Sequence, residues 1–475
     1  MIRQYRADID GLRTVAVIPV VIFHLGTSLF SGGFVGVDVF FVISGFLITQ
    51  TLLGEQGGWR DALFDFYKRR IKRIFPALFA LYLCVMLAAF GLLMSDQSAE
   101  VAKSIIASIF FLSNILFYSQ SGYFDGELDS NPLLHTWSLS VEEQFYIFFP
   151  LLIFFTRSWT AAHRRQLVWA LTLASFLAAQ WMVSRNASAA FYLIPFRTWE
   201  LSLGSLLAIG AIPAPRRQWQ AEIGVAAGLA LIAYAVLFYN KATTFPGASA
   251  LVPCLGTALI LLCGESWRTL GGRLLSIPPM RFVGLISYSL YLWHWPIIVF
   301  YRNIDSRLDN VERASLLVAA LAAATISWAY VEKPFRRSSR LNSRIVVLRG
   351  TAAMAACGAA VFSLAVLSDV LYPISAQARG VLAYGERTGR TEMMRTGSCF
   401  LTTQHRLSDY SFERCMAAPH DKPRVLIVGD SHAAHLYYGL NHTLPNAHVL
   451  QATAAGCKPL VDSRGDARCL ALMHQ

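Results

Sequence analysis

Twelve apolar runs long enough to cross a bilayer core govern what this chain can fold into. They lie near 13–30, 34–54, 75–95, 101–119, 140–157, 166–184, 196–212, 220–239, 248–264, 284–302, 311–331 and 346–370. A spanning helix needs roughly 17 to 25 predominantly apolar residues, and it satisfies every backbone polar group within the hydrocarbon. Composition points the same way: of 475 residues, 55% are hydrophobic and 15% charged. A soluble domain carries charge at about a quarter of its positions, and mean hydropathy here is +0.46. An aromatic content of 13% excludes disorder, because so much apolar surface must be buried. The formal charge of +12 would suggest a nucleic-acid partner in a soluble protein. The Lys and Arg residues fall mostly between the apolar runs instead, where a polytopic membrane protein keeps its cytoplasmic charge. The expected partner is the membrane, with no nucleic acid.

The basic segments test the count of crossings. Arg60, Lys68, Arg69, Arg70, Lys72 and Arg73 mark a cytoplasmic loop after two crossings. Further basic loops follow at Arg157, Arg164 and Arg165, at Arg216 and Arg217, at Arg268, Arg273 and Arg281, and from Lys333 to Arg344. Segment 120–138 has no Lys or Arg and carries Asp125, Glu127 and Asp129, so it reads as external. Only an odd number of crossings fits between the 60–73 loop and that segment. One of 75–95 or 101–119 is therefore expected to be re-entrant, tilted or interfacial. Ten crossings reach Val331 and an eleventh lies at 346–370, which leaves the N-terminus cytoplasmic and everything after Leu371 outside. No small-residue cleavage site follows the first apolar run, so an uncleaved anchor is expected.

Beyond Tyr372 the composition changes, and Val425 to Val428 reads as a short buried strand of an α/β domain. The expected fold is an all-α polytopic membrane helix bundle over 1–340, with about ten transmembrane helices. A linker helix follows over 341–371, then a partial α/β external domain over 372–475. Cys84, Cys254, Cys263 and Cys357 fall in apolar runs as small hydrophobes. The four external cysteines allow three pairings in an oxidising compartment, and sequence neighbours (Cys399 with Cys415, Cys457 with Cys469) are the expected ones. No CxxC or Cys/His spacing points to a metal, and none is expected.

Ionisable residues in apolar runs cost about 2.5 kcal/mol or more at the bilayer centre, so each is a functional candidate. Arg13 and His24 are eleven positions apart, on one helix face about 16 Å from each other. Asp10 or Asp8 would cap that helix. Hydrogen bonding in the core and anchoring at the interface would explain the pair equally well. Asp38 needs a partner, with Arg13, His24 or a cation of the 68–73 loop available. Arg70 and Arg73 sit one helical turn apart and suit phosphate oxygens, although topology setting and lipid headgroups also explain basic clusters. His135, Glu142 and Glu143 open an apolar helix with more acid than capping needs. Arg197 and Glu200, three apart, pair naturally with each other. Tyr288 and His294 lie in an aromatic segment that resembles an interfacial belt, with His294 deeper.

Six strings occur in order: YRADIDGLR, GFVGVDVFFVISGFLIT, RRIKRIFPA, HTWSLSVEEQFYIFFP, SYSLYLWHWP and YVEKPFRR. Together, over about residues 5–340, they resemble the acyltransferase-3 family of integral membrane acyltransferases. Farther on, VLIVGDSHAAH resembles the first block of an SGNH domain, with Ser431 as nucleophile, and Gly456 resembles the second-block oxyanion donor. An SGNH serine takes its base from a histidine with Asp three positions earlier. None of His432, His435, His442, His448 or His474 has one, so the domain is expected to be incomplete. The resemblance implies O-acylation, with acetyl-CoA or another acyl-CoA as cytoplasmic donor and a surface or lipid-linked glycan such as O-antigen as acceptor. It implies a multi-pass protein of the bacterial cytoplasmic (inner) membrane with its last domain periplasmic. His24 becomes the candidate catalytic residue, as base or as acyl carrier, with Arg13, Asp38 and Glu142 implicated in activity. Arg70 and Arg73 become donor-binding candidates, and His135, Glu143, Arg197, Glu200, Tyr288 and His294 candidate lining residues. A transporter or exporter is the rival class, because a polar line through a helix bundle also describes a substrate path.

Overall fold

A computed structural model describes residues 5–54, 58–121, 128–240, 242–305, 308–337, 342–373, 391–402 and 405–457. The chain divides into two compact units, Met1–Ser119 with Gly126–Leu371, and Tyr372–Gln475 with Gln120–Asp125. The first unit is a helix bundle. Its main helices are α1 (Ala7–His24), α2 (Gly36–Gly54), α3 (Trp59–Leu92), α4 (Ser95–Ile109), α5 (Ser113–Gln120), α6 (Thr136–Phe155), α7 (Ala161–Val183), α8 (Thr198–Ala208), α9 (Gln218–Phe238), α10 (Leu251–Ser266), α11 (Pro278–Arg302), α12 (Asn310–Ile326) and α13 (Ser343–Leu371).

Among the described residues, nine helices are long and apolar enough to cross a membrane. Two runs expected as crossings are not among them. α1 carries Asp8, Asp10 and Arg13, and α8 has only 11 residues. The run 101–119 is broken: α4 stops at Ile109, Phe111 turns the chain with φ 56°, and α5 begins anew at Ser113. The stretch 60–73, expected as a loop, is instead the first half of the 34-residue α3, so its basic residues stand on a rigid helix. Neither Asp8 nor Asp10 caps α1. Asp8 pairs with Arg6, while Asp10 accepts from Arg13 and from Tyr5. Helix α13, expected as a separate linker, packs against α3 and α4 inside the first unit.

Close helix approach sets the centre of the bundle. A Cβ at Gly45 on α2 would stand 1.8 Å from the Leu201 carbonyl of α8, and one at Gly204 would stand 2.0 Å from the Val42 carbonyl. Without a hydrophobic force between helices in lipid, such small-residue contacts are what let backbones meet. The outward faces are apolar, with Phe148, Leu177, Trp181 and Phe362 all more than half exposed.

The second unit holds a parallel sheet in the order β1 (Phe400–Leu401), β3 (His448–Ala454), β2 (Arg424–Gly429). The helix α14 (Ser431–Thr443) follows β2 directly. Cys399 and Cys415 form a disulfide, the pairing expected for them; Cys469 lies outside the described residues.

The α2–α8 crossing generates a prediction. Gly45→Leu overpacks a contact that has no room, at a cost of about 1–3 kcal/mol, and should lower the unfolding midpoint of detergent-extracted protein. Gly91→Leu, where a Cβ meets nothing within 4 Å, should leave the midpoint unchanged.

Candidate functional site

The close α2–α8 contact brings three charged groups together with no exposure. Asp38 lies in the first turn of α2, Arg197 at the start of α8 and Glu200 in its first turn, where the helix N-terminus favours an acid. Arg197 Nη2 donates to Asp38 Oδ1 at 3.0 Å, and Nη1 stands 3.0 Å from Glu200 Oε1. Four rings surround the guanidinium, Phe41, Trp137, Phe191 and Phe245, each with its centroid within 6 Å. The expectation that Asp38 would pair with Arg13, His24 or the 68–73 cations is thus corrected. Its partner comes from α8, and Arg197 serves two carboxylates rather than Glu200 alone. Cys254 is buried in the core as expected, and its Sγ and the two carboxylates each place a ligand atom within 4.8 Å of the others. Arg197 already supplies positive charge to that group.

Two cavities open beside this cluster. The first, about 90 Å³, is lined by Arg13, Arg70, Arg73, Glu142, Tyr146 and Tyr288 among others. Arg70 stacks over Phe66 and Tyr146 at 5.8 and 5.6 Å, and its Nε has no hydrogen-bond partner among the described residues. Tyr146 donates to the Glu142 carboxylate, and Tyr288 Oη donates to the Ile74 carbonyl at 3.0 Å. Three guanidinium groups thus face a narrow, mostly apolar slot with one carboxylate.

The second cavity, about 1140 Å³, is lined by His24, Asp38, Asp129, His135, Arg197 and Arg302 together with Phe34, Trp137, Phe191, Tyr192 and Trp295. His24 ends α1, and Arg302 Nη2 donates to its carbonyl at 2.6 Å, a cation on a helix C-terminus. His24 Nδ1 lies 3.0 Å from His294 Nε2, and the Trp295 ring meets the imidazole edge-on at 4.7 Å. Both ring nitrogens of buried His135 lack a partner among the described residues. Val37 and Tyr291 belong to the walls of both cavities. Tyr291 Oη bonds Ser138 Oγ at 2.6 Å and donates to the His135 carbonyl at 2.9 Å.

Of the residues expected from sequence, Arg13, Arg70, Arg73, Glu142 and Tyr288 therefore gather at the first cavity. His24, Asp38, His135 and Arg197 gather at the second. Glu143, Glu200 and His294 are buried but line neither. Although Arg13 and His24 share a helix, they serve different cavities. Sequence reasoning missed Tyr291, Trp295, Arg302, Tyr146 and Asp129. For Tyr291 and Trp295 a signal existed, since 288, 291 and 295 follow the spacing of one helix face.

In the second unit, Ser431 opens α14 after Asp430, which caps the helix through the His432 amide at 2.9 Å. Gly456, with φ 71°, lies past the end of β3 at the same end of the parallel sheet. His474 lies outside the described residues.

A multi-pass membrane bundle with a basic slot and a histidine-lined cavity on one shared wall is the class these features define. Comparison with known proteins assigns it: residues 6–332 match the acyltransferase domain of the acyltransferase-3 family, and the chain belongs to that family. Residues 398–475 match the SGNH domain found fused to such acyltransferase domains. The chain is 32% identical over 354 residues to the O-acetyltransferase OatA of Staphylococcus aureus, covering 70% of this chain and 58% of that protein. It is 31% identical to the peptidoglycan O-acetyltransferase OatA of Listeria monocytogenes, covering 72% and 57%. It is 34% identical to the putative membrane-bound transacylase BcsY of Komagataeibacter xylinus, covering 70% and 83%. The chain thus spans a little over half the length of the two OatA relatives. No solved structure matches it.

The ion cluster makes a test of its own. Arg197→Met leaves two buried carboxylates without their cation, at a cost of about 3–5 kcal/mol, and should abolish recovery of monodisperse protein in detergent. Adding Asp38→Asn and Glu200→Gln to the same chain should restore recovery, because the uncompensated charge is then gone.

Proposed function

We propose that this protein transfers an acetyl group from acetyl-CoA to a hydroxyl of a bacterial surface or lipid-linked glycan. The observation that carries the reading is the division of chemistry between two cavities on a common wall of Val37 and Tyr291. Arg70 and Arg73 suit CoA phosphates, since guanidinium forks match phosphate oxygens bidentately, and the apolar residues beside them, among them Val37, Phe40, Leu47 and Ile48, suit the alkyl parts of a pantetheine arm. The large cavity suits a sugar, with aromatic rings for its apolar faces and Asp129, His135 and Arg302 for its hydroxyls. The glycan oxygen attacks the thioester carbonyl carbon while His24 takes the hydroxyl proton. The C–S bond then breaks, the sulfur receives that proton, and free CoA leaves with His24 neutral again. Alternatively His24 accepts the acetyl group first and passes it on. The basic-loop arithmetic supports placement in the bacterial inner membrane, with the donor side cytoplasmic and the residues after Leu371 external.

The test uses the full chain in liposomes with labelled acetyl-CoA and a glycan acceptor. Label should appear on glycan only with the chain present. His24→Ala should reduce transfer to background while the protein still extracts as a folded species. Arg70→Lys and Arg73→Lys keep the charge but lose the fork, and each should raise KM for acetyl-CoA about tenfold, the equivalent of one lost charge-assisted bond. Glycan movement across the bilayer with no acetyl gain would return the chain to the transporter class.

A further inference from the structure

We infer that His294 is a positioning residue that sets the tautomer of His24, leaving Nε2 as its basic nitrogen. The inference rests on the reading of His24 as base or acyl carrier, and it serves both, since either role uses the same lone pair. His294 cannot act on substrate directly: it is fully buried and lines neither cavity, whereas His24 lines the large one. Its Nδ1 lies 3.1 Å from the Leu290 carbonyl, one turn earlier on α11. A carbonyl oxygen only accepts, so His294 Nδ1 carries the proton, and in a neutral ring its Nε2 then holds a lone pair. That lone pair faces His24 Nδ1 at 3.0 Å. The proton between the rings therefore belongs to His24 Nδ1, which donates. In neutral His24 the remaining nitrogen, Nε2, is unprotonated.

The relay has a backbone carbonyl at its far end, so it cannot invert while both rings are neutral. The rest of the environment holds His24 for it. The two imidazoles lie edge to edge with centroids 5.1 Å apart and planes 24° from parallel, Trp295 closes one edge, and Arg302 ties down the His24 carbonyl. Without the acceptor at position 294, His24 Nδ1 and Nε2 would share the proton between two tautomers and two ring orientations. A histidine base depends on its orienting partner in this way generally, and loss of the partner costs orders of magnitude in turnover.

The experiment compares His24→Ala, His294→Phe and His294→Gln as full chains in liposomes, measuring acetyl transfer, KM for acetyl-CoA and the unfolding midpoint. The Gln side chain can place a carbonyl oxygen near the position of Nε2, so it keeps an acceptor without an imidazole. His294→Phe should lower kcat about a hundredfold or more with KM for acetyl-CoA unchanged, and His294→Gln should recover activity to within about tenfold of wild type. Should the Phe variant fail to extract, the Gln variant carries the test by itself. A folded Gln variant without activity, or one no better than Phe, overturns the inference. So does a Phe variant as active as wild type while His24→Ala is dead. Full activity in His24→Ala overturns the functional reading instead, and the two failures are thereby told apart.

Discussion

A single guanidinium shared by two carboxylates is the interaction on which the centre of the bundle depends. Arg197 at the start of α8 binds Asp38 of α2 and Glu200 of its own first turn, all three with essentially no exposure. Removing such charges from water costs several kcal/mol each, so the arrangement persists only if partners and geometry repay it. Gly45 and Gly204 supply that geometry by letting α2 and α8 touch backbone to backbone, at the cost of any side chain there. The four surrounding rings then exclude solvent, and three of them, Trp137, Phe191 and Phe245, also face the large cavity. Site and fold are thus held by one contact: the cluster that locks the helices also forms a wall of the cavity.

The polar groups of the bundle are sorted by chemistry. Arg13, Arg70 and Arg73 converge on the narrow slot, where low dielectric strengthens their pull on an anion. Two histidines, His24 and His135, and most of the aromatic surface converge on the wide one. Tyr291 stands in both walls, its hydroxyl bonded to Ser138 and to the His135 carbonyl, so its orientation is tied to residues on either side. Groups held in the two cavities would come closest at this residue and Val37, the walls that both cavities share.

How much of this could be read from the chain alone depends on the range of each interaction. The apolar runs are local, and the helix bundle follows from them; the charge pattern left the irregular run open between 75–95 and 101–119, and the strand at Val425–Val428 forms as expected but with Val425 and Leu426 exposed rather than buried. The candidates His24, Arg70, Arg73 and Glu142 stood out because charge in apolar surroundings is itself a local signal. The partner of Asp38 did not, because Arg197 lies 159 residues away and only the α2–α8 crossing joins them. Arg13 and His24 both lie on α1, as expected, yet they border different cavities. One helix face can border two cavities, and the wall between them is supplied by α2 and α11. The 60–73 stretch was misread as a loop because basic residues mark the cytoplasmic side whether or not the helix continues through them.

In the second unit, strand direction decides what Ser431 can use. His448 is the first residue of β3, and its Nε2 lies 2.7 Å from Asp421 Oδ1, holding that carboxyl below its ordinary range. This is a histidine–aspartate pair of the type an SGNH serine requires, assembled from residues 27 apart rather than three. Its position disqualifies it. His448 pairs in register with Arg424 at the start of β2, whereas Ser431 follows Gly429 at the other end. Five residue steps along an extended strand amount to roughly 16 Å, beyond any hydrogen bond to the serine. Gly456, by contrast, sits at the serine's end of the sheet. The described part of the SGNH region therefore places Ser431 and Gly456 at one end of the sheet and the His448–Asp421 pair at the other.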